Sequence, residues 1–186
     1  KEKLPADLPF SNPYWLNETH SIGMYTVRSS SLIGKPENDA AVSIKVDVSF
    51  GDLSLKISRP LVYKYTDPVK GEIYRPFEVL PPATISIPEK MFVFSDGRSR
   101  SVWLTVKANA AGVKGTAVVK VGEGWTVTLK QTEFNLAAKN DEALIEAIIT
   151  PSKKPIDARL EASVQINGAT YDKAIRRIEY DHIPYQ

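Results

Sequence analysis

The stretch VSIKVDVSFGDLSLKI, residues 42–57, decides the fold class. Val42, Ile44, Val46, Val48 and Phe50 alternate with polar residues, and Leu53, Leu55 and Ile57 resume the alternation after Gly51-Asp52. A period of two places every apolar side chain on one face of an extended strand. Glycine at the first position of a two-residue loop suits a type II′ turn, so the stretch reads as a hairpin with one buried face. No window carries a sustained i, i+3, i+4, i+7 stripe, and AAKNDEALIE (137–146) offers at most a helical turn.

The same pattern recurs outward from this hairpin. Leu61, Tyr63 and Tyr65 alternate, as do Val102, Leu104 and Val106, then Trp125, Val127 and Leu129, and the run Ala158, Leu160, Ala162, Val164 and Ile166. Asp96-Gly97 and Asn167-Gly168 supply the positive φ angles that a type I′ turn needs, and Gly122-Glu123-Gly124 reads as a longer hairpin loop. The 13 prolines fall mostly at loop or edge positions, where the missing N–H does no harm to a ladder. Strands at this spacing with tight turns predict an all-β chain of two antiparallel immunoglobulin-like β-sandwich domains in tandem. Pro81-Pro82 is the strongest punctuation mid-chain. It divides an N-terminal arm (1–12) and a first sandwich of five or so strands (13–81) from a second sandwich of seven or so strands with a C-terminal linker strand (82–186). A single larger sandwich is the alternative.

Composition sets the limits on chemistry. The chain has 186 residues, 42% hydrophobic and 25% charged, which is a globular balance. A net charge of only +2 gives no electrostatic footprint for nucleic acid or an anionic membrane. No apolar stretch approaches the ~20 residues that span a bilayer, so no membrane insertion is expected. The N-terminal KEKLPADLPF has no apolar signal-peptide core, and RRIEYDHIPYQ ends without a breaker, so the chain reads as an internal piece of a longer protein. There is no cysteine, which excludes thiolate nucleophiles, disulfides and Cys-based zinc sites.

HExxH, HxH and DxDxDG patterns are absent, and Asp47 and Asp52 beside one hairpin read as solvated carboxylates. There is no GxSxG elbow, and neither His20 nor His182 has a Ser–Asp arrangement beside it in sequence. GVKG and GEG lack the strand–loop–helix context of a phosphate loop. No catalytic, metal or cofactor residue is therefore expected. Asn17-Glu18-Thr19 is a formal glycosylation triplet, of a kind that arises by chance. Trp103 and Trp125, inside alternating strands, are read as packed residues. Two apolar sets near the ends read as docking surfaces for neighbouring domains: Tyr14, Trp15 and Leu16 beside Pro13, and Ile178, Tyr180, Ile183 and Tyr185. The alternative is that each tail folds back on its own domain.

Three stretches look familiar together. SNPYWLNETHSIGMYTVRSSSLIGKPEN (11–38), VYKYTDPVKGEIYRPFEVLP (62–81) and IRRIEYDHIPYQ (175–186) resemble the region downstream of the catalytic domain in secreted PIG-L/LmbE-like de-N-acetylases of Bacteroidetes-type bacteria. Residues 82–180, with GEGWTV (122–127), resemble the NPCBM-associated immunoglobulin-like domain found beside carbohydrate-active modules. The family's catalytic domain is a zinc-dependent hydrolase with a His-Pro-Asp-Asp run and a later His-x-x-His, and this chain contains neither. The resemblance implies a periplasmic or extracellular, non-catalytic accessory region whose partners are neighbouring domains of a parent deacetylase. A carbohydrate-binding module and a small hydrolase are the competing readings.

Overall fold

The computed structural model describes residues 4, 5, 7–180, 182 and 183. The described chain is all-β apart from two 3-10 turns, Tyr14–Leu16 and Ser30–Leu32, and every strand pairing is antiparallel. It divides into two compact units, Lys1–Leu80 and Pro81–Gln186.

The first unit holds two separate hairpins. β1 (Ser43–Phe50) pairs with β2 (Leu53–Pro60) across Gly51-Asp52, and β3 (Val62–Asp67) pairs with β4 (Gly71–Pro76). Gly51 has φ +57°, the sign that the first position of a II′ turn requires. In the β3–β4 turn the Asp67 carboxylate accepts from the backbone N–H groups of Val69 and Lys70, both at 2.8 Å. These two bonds hold its pKa below the usual carboxylate value. The expected first sandwich of five or so strands is thus four strands in two two-stranded sheets. None of the unit's described residues is buried. The physical reason is that the alternation specifies an apolar face for each hairpin but no residue that locks one face onto another.

The second unit holds the core. Its strands are β5 (Ala83–Ser86), β6 (Arg100–Ala108), β7 (Val113–Lys120), β8 (Thr126–Leu129), β9 (Glu133–Leu136), β10 (Glu142–Thr150), β11 (Glu161–Ile166) and β12 (Ala169–Tyr171). They form two four-stranded sheets, ordered β5-β6-β10-β8 and β12-β11-β7-β9. Leu104, Val106, Ile145, Ala147 and Ile149 from the first sheet share one buried cluster with Val113, Ala117, Phe134, Leu136, Val164 and Ile166 from the second, an arrangement that fits a β-sandwich. Gly115 lets the sheet close. A Cβ there would clash with the Gln165 carbonyl oxygen and lie 2.8 Å from Cζ of Phe134.

The turns match the sequence reading in part. Asn167 (φ +50°) and Gly168 (φ +82°) join β11 to β12 with both central residues left-handed, as a I′ turn demands. Gly122-Glu123-Gly124 is not a hairpin loop: β7 and β8 lie in different sheets, so this segment carries the chain from one layer to the other. Asp96-Gly97 precedes β6, but Phe92–Ser95 before it forms no strand. The 137–146 segment turns at Asn140 (φ +72°) and then enters β10.

Candidate interaction surfaces

Pro13 starts a 3-10 turn that presents Tyr14, Trp15 and Leu16, with the Leu16 N–H donating to the Pro13 carbonyl at 2.9 Å. Tyr14 is tied into its own unit. Its backbone N–H donates to Oδ1 of Asn38, and its hydroxyl donates to the Lys35 carbonyl, each at 2.9 Å. Asn38 in turn donates to the Asn12 carbonyl at 2.6 Å. The Trp15 ring meets Tyr14 edge-on, 4.9 Å between centroids. Tyr14 and Trp15 are half-buried by these contacts, and Leu16 is exposed. The fold-back alternative therefore describes Tyr14, while Leu16 stays available.

The C-terminal set belongs to the other unit. Ile178 is half-buried, Tyr180 is 62% exposed and Ile183 is 37% exposed. The Tyr180 ring stacks on His182 at 5.7 Å, and the Ile183 N–H donates to the Tyr180 carbonyl at 3.3 Å. Tyr185 lies outside the described residues.

Two features escaped the sequence reading. The first is Trp103, which is 49% exposed rather than packed. Parity explains it: Val102, Leu104 and Val106 are the buried positions of β6, so Trp103 points to the outer face. There it stands opposite Glu146 of β10, with Leu144, 63% exposed, on the same strand face. Glu146 accepts a hydrogen bond from the Ser101 hydroxyl and pairs with the Lys130 ammonium, both at 2.6 Å. Lys130 first, and Ser101 second, hold its carboxyl below the usual carboxylate value. Trp125, by contrast, does pack against the core. Its ring meets Phe94 edge-on at 5.1 Å and its Nε1–H donates to the Ile156 carbonyl at 3.2 Å.

The second feature is the exposure of the β1–β2 hairpin's apolar face, which the alternation of residues 42–57 predicts to be buried. Its register puts Ile44, Val46, Val48, Phe50, Leu53, Leu55 and Ile57 on one face, with Arg59 at the end opposite the turn. The other face is Ser43, Lys45, Asp47, Ser49, Ser54, Lys56, Ser58 and Pro60. The apolar face is open: Ile44 is 53% exposed, Phe50 69% and Leu53 68%. The pattern announced this face, but alternation alone cannot say whether anything covers it.

Among the described residues no three His, Asp or Glu side chains gather to hold a metal ion. His20 lies against Tyr25 at 4.9 Å, with Nδ1 3.2 Å from the Ser21 carbonyl. A broad depression of about 1230 Å³ in the second unit, between segments 87–97 and 151–160, is lined by apolar Phe92, Phe94 and Trp125 together with charged Lys90, Lys153 and Arg159. Among the described residues no helix is long and apolar enough to cross a membrane. No protein-family model matches the chain, and no curated protein matches it.

Proposed function

We propose that this chain is a non-catalytic accessory region of a larger sugar de-N-acetylase, which docks or spaces the catalytic domain outside the cytoplasm. The family, the parent's zinc-dependent chemistry and the compartment come from the resemblance of residues 11–38, 62–81 and 175–186. The observation that carries the docking role is the C-terminal set, where Tyr180 and Ile183 stand exposed in the segment that follows β12. Exposed apolar groups at such a position mark an interface. The sheet orders β5-β6-β10 and β12-β11-β7 match the A-B-E and G-F-C skeleton of an immunoglobulin-like domain, which supports that reading for the second unit. The test is binding between this chain and the separately produced catalytic domain. Tyr180→Ala is expected to weaken it by about 10- to 30-fold, as loss of an aromatic anchor does. Binding unchanged by Tyr180→Ala and by Leu16→Ala would refute the proposed surfaces.

A carbohydrate-binding role is the second reading, and Trp103 favours it. An indole on an open sheet face can stack on the CH face of a pyranose, and Glu146, fixed by Lys130 and Ser101, can accept from its hydroxyls. Titration with chitin and xylan oligosaccharides tests it: Trp103→Ala must abolish binding while leaving the fold intact.

A further inference from the structure

We infer that the apolar face of the β1–β2 hairpin is the interface of a symmetric dimer, its occupant being the same face of a second copy of this chain. This inference stands on the first unit alone and goes beyond the accessory role. The starting point is physical: a two-stranded ribbon is marginal in water by itself and needs its apolar face covered. Five of the seven apolar side chains, Ile44, Val46, Phe50, Leu53 and Leu55, are 46–69% exposed, and Val48 and Ile57 are half-buried. The open patch is roughly 500 Å² per copy, within the largest that monomers expose and most of the ~800 Å² per partner of a stable interface.

The order of residues along the face makes it self-complementary. From the turn outward the cross-strand pairs are Phe50–Leu53, Val48–Leu55, Val46–Ile57 and Ile44–Arg59. A two-fold axis lying between the two faces, perpendicular to the strands, would bring Val46 of each copy over Val48 of the other at the centre, where short side chains let two sheets approach. The same axis lays the Phe50 end of one copy over the Arg59 end of the other. Arg59 is the one charged residue on this face; it meets Leu53 of the other copy, and the ring of Phe50, one strand over, gives its guanidinium a cation–π partner. An isologous pair uses that match twice. An unrelated apolar surface would leave Arg59 facing hydrocarbon.

Sedimentation equilibrium of the full chain, from low micromolar to submillimolar protein, reads the association directly. The expected species is twice the 20.6 kDa chain mass. Val46→Lys places like charges at the axis and should weaken the dimer by at least about 30-fold. Lys45→Glu, on the polar face, should leave it unchanged. A wild-type chain that stays monomeric overturns the inference and leaves the face to another partner. A dimer that survives Val46→Lys overturns it too, because the contact then lies elsewhere. Since the chain has no cysteine, single substitutions give a second readout that does not depend on a charged variant folding. With a thiol-to-thiol crosslinker spanning about 10 Å, the spacing of packed sheets, a mixture of Leu53→Cys and Arg59→Cys chains must form the mixed product in preference to either self-pair. Random pairing contradicts the two-fold arrangement.

Discussion

Gly115→Ala should destabilise the second unit, against the usual direction of such a change. Gly115 lies within β7 with φ outside the left-handed region, so alanine has no backbone objection there. In that circumstance Gly→Ala stabilises by about 0.4–1 kcal/mol, because the unfolded chain loses freedom. The surroundings reverse the sign. A Cβ would clash with the Gln165 carbonyl oxygen and sit 2.8 Å from Phe134 Cζ and 2.9 Å from Ile166 Cγ1. The ring of Phe134 can tilt, but the carbonyl belongs to β11, which is hydrogen-bonded to β7 through Gln165 and Thr116. Relief requires the two central strands of the sheet to part or slide. Overpacking of this kind costs about 1–3 kcal/mol, and the backbone contact puts it at the top of that range. The net loss is about 2 kcal/mol, equivalent to a Tm roughly 8–16 °C lower for a unit of about 100 residues. Thermal unfolding followed by circular dichroism measures it, with Lys114→Ala, exposed on the same strand, as the control. A Tm for Gly115→Ala equal to or above wild type would refute the close approach of β7, β9 and β11.

Three further outcomes are expected. Trp125→Ala removes a ring packed against the core, its edge contact with Phe94 and its bond to the Ile156 carbonyl, for a loss of about 2–4 kcal/mol in urea unfolding; a midpoint within error of wild type would place Trp125 outside the core. Glu146 has a folded-state pKa below its unfolded value, so its stabilisation is complete above the unfolded value and is lost as pH falls through the folded one. Melting curves from pH 5 down to pH 2 should therefore show a steeper decline for wild type than for Glu146→Gln, and parallel declines would contradict the Lys130–Glu146–Ser101 cluster. Gly168→Ala forces a side chain onto φ +82° in the β11–β12 turn and should cost about 1 kcal/mol, whereas replacing the exposed Lys114 should cost nothing measurable.

The strands were legible where apolar and polar residues alternate strictly, although of the run 158–166 only Glu161–Ile166 is a strand and Trp125 precedes β8. Residues 42–57 gave both strands and the turn of β1–β2, because a period of two and a Gly at the first loop position leave no other local solution. Asn167-Gly168 was legible for the same reason. The partnering of strands was not. Gly122-Glu123-Gly124 has hairpin chemistry, yet whether a chain reverses beside its own strand or crosses to the other layer is decided by the core residues of β8 and β10, far apart in sequence. Trp103 shows a different limit: its parity against Val102 and Leu104 was visible, but its size suggested packing. Of the docking residues, the sequence located the apolar sets and not their contacts. Asn38 and Lys35, which tie down Tyr14, lie more than 20 positions away.

The central claim, that apolar groups at the chain's two ends are docking surfaces for neighbouring domains, is tested most directly by amide hydrogen exchange. The comparison is between this chain alone and the same chain joined to its native flanking domains. The account predicts that amides in residues 14–17 and 178–183 slow about tenfold or more when the neighbours are present, while core amides in β6 and β10 stay as they were. Equal protection in both proteins would contradict it, because the tails would then be satisfied within their own units.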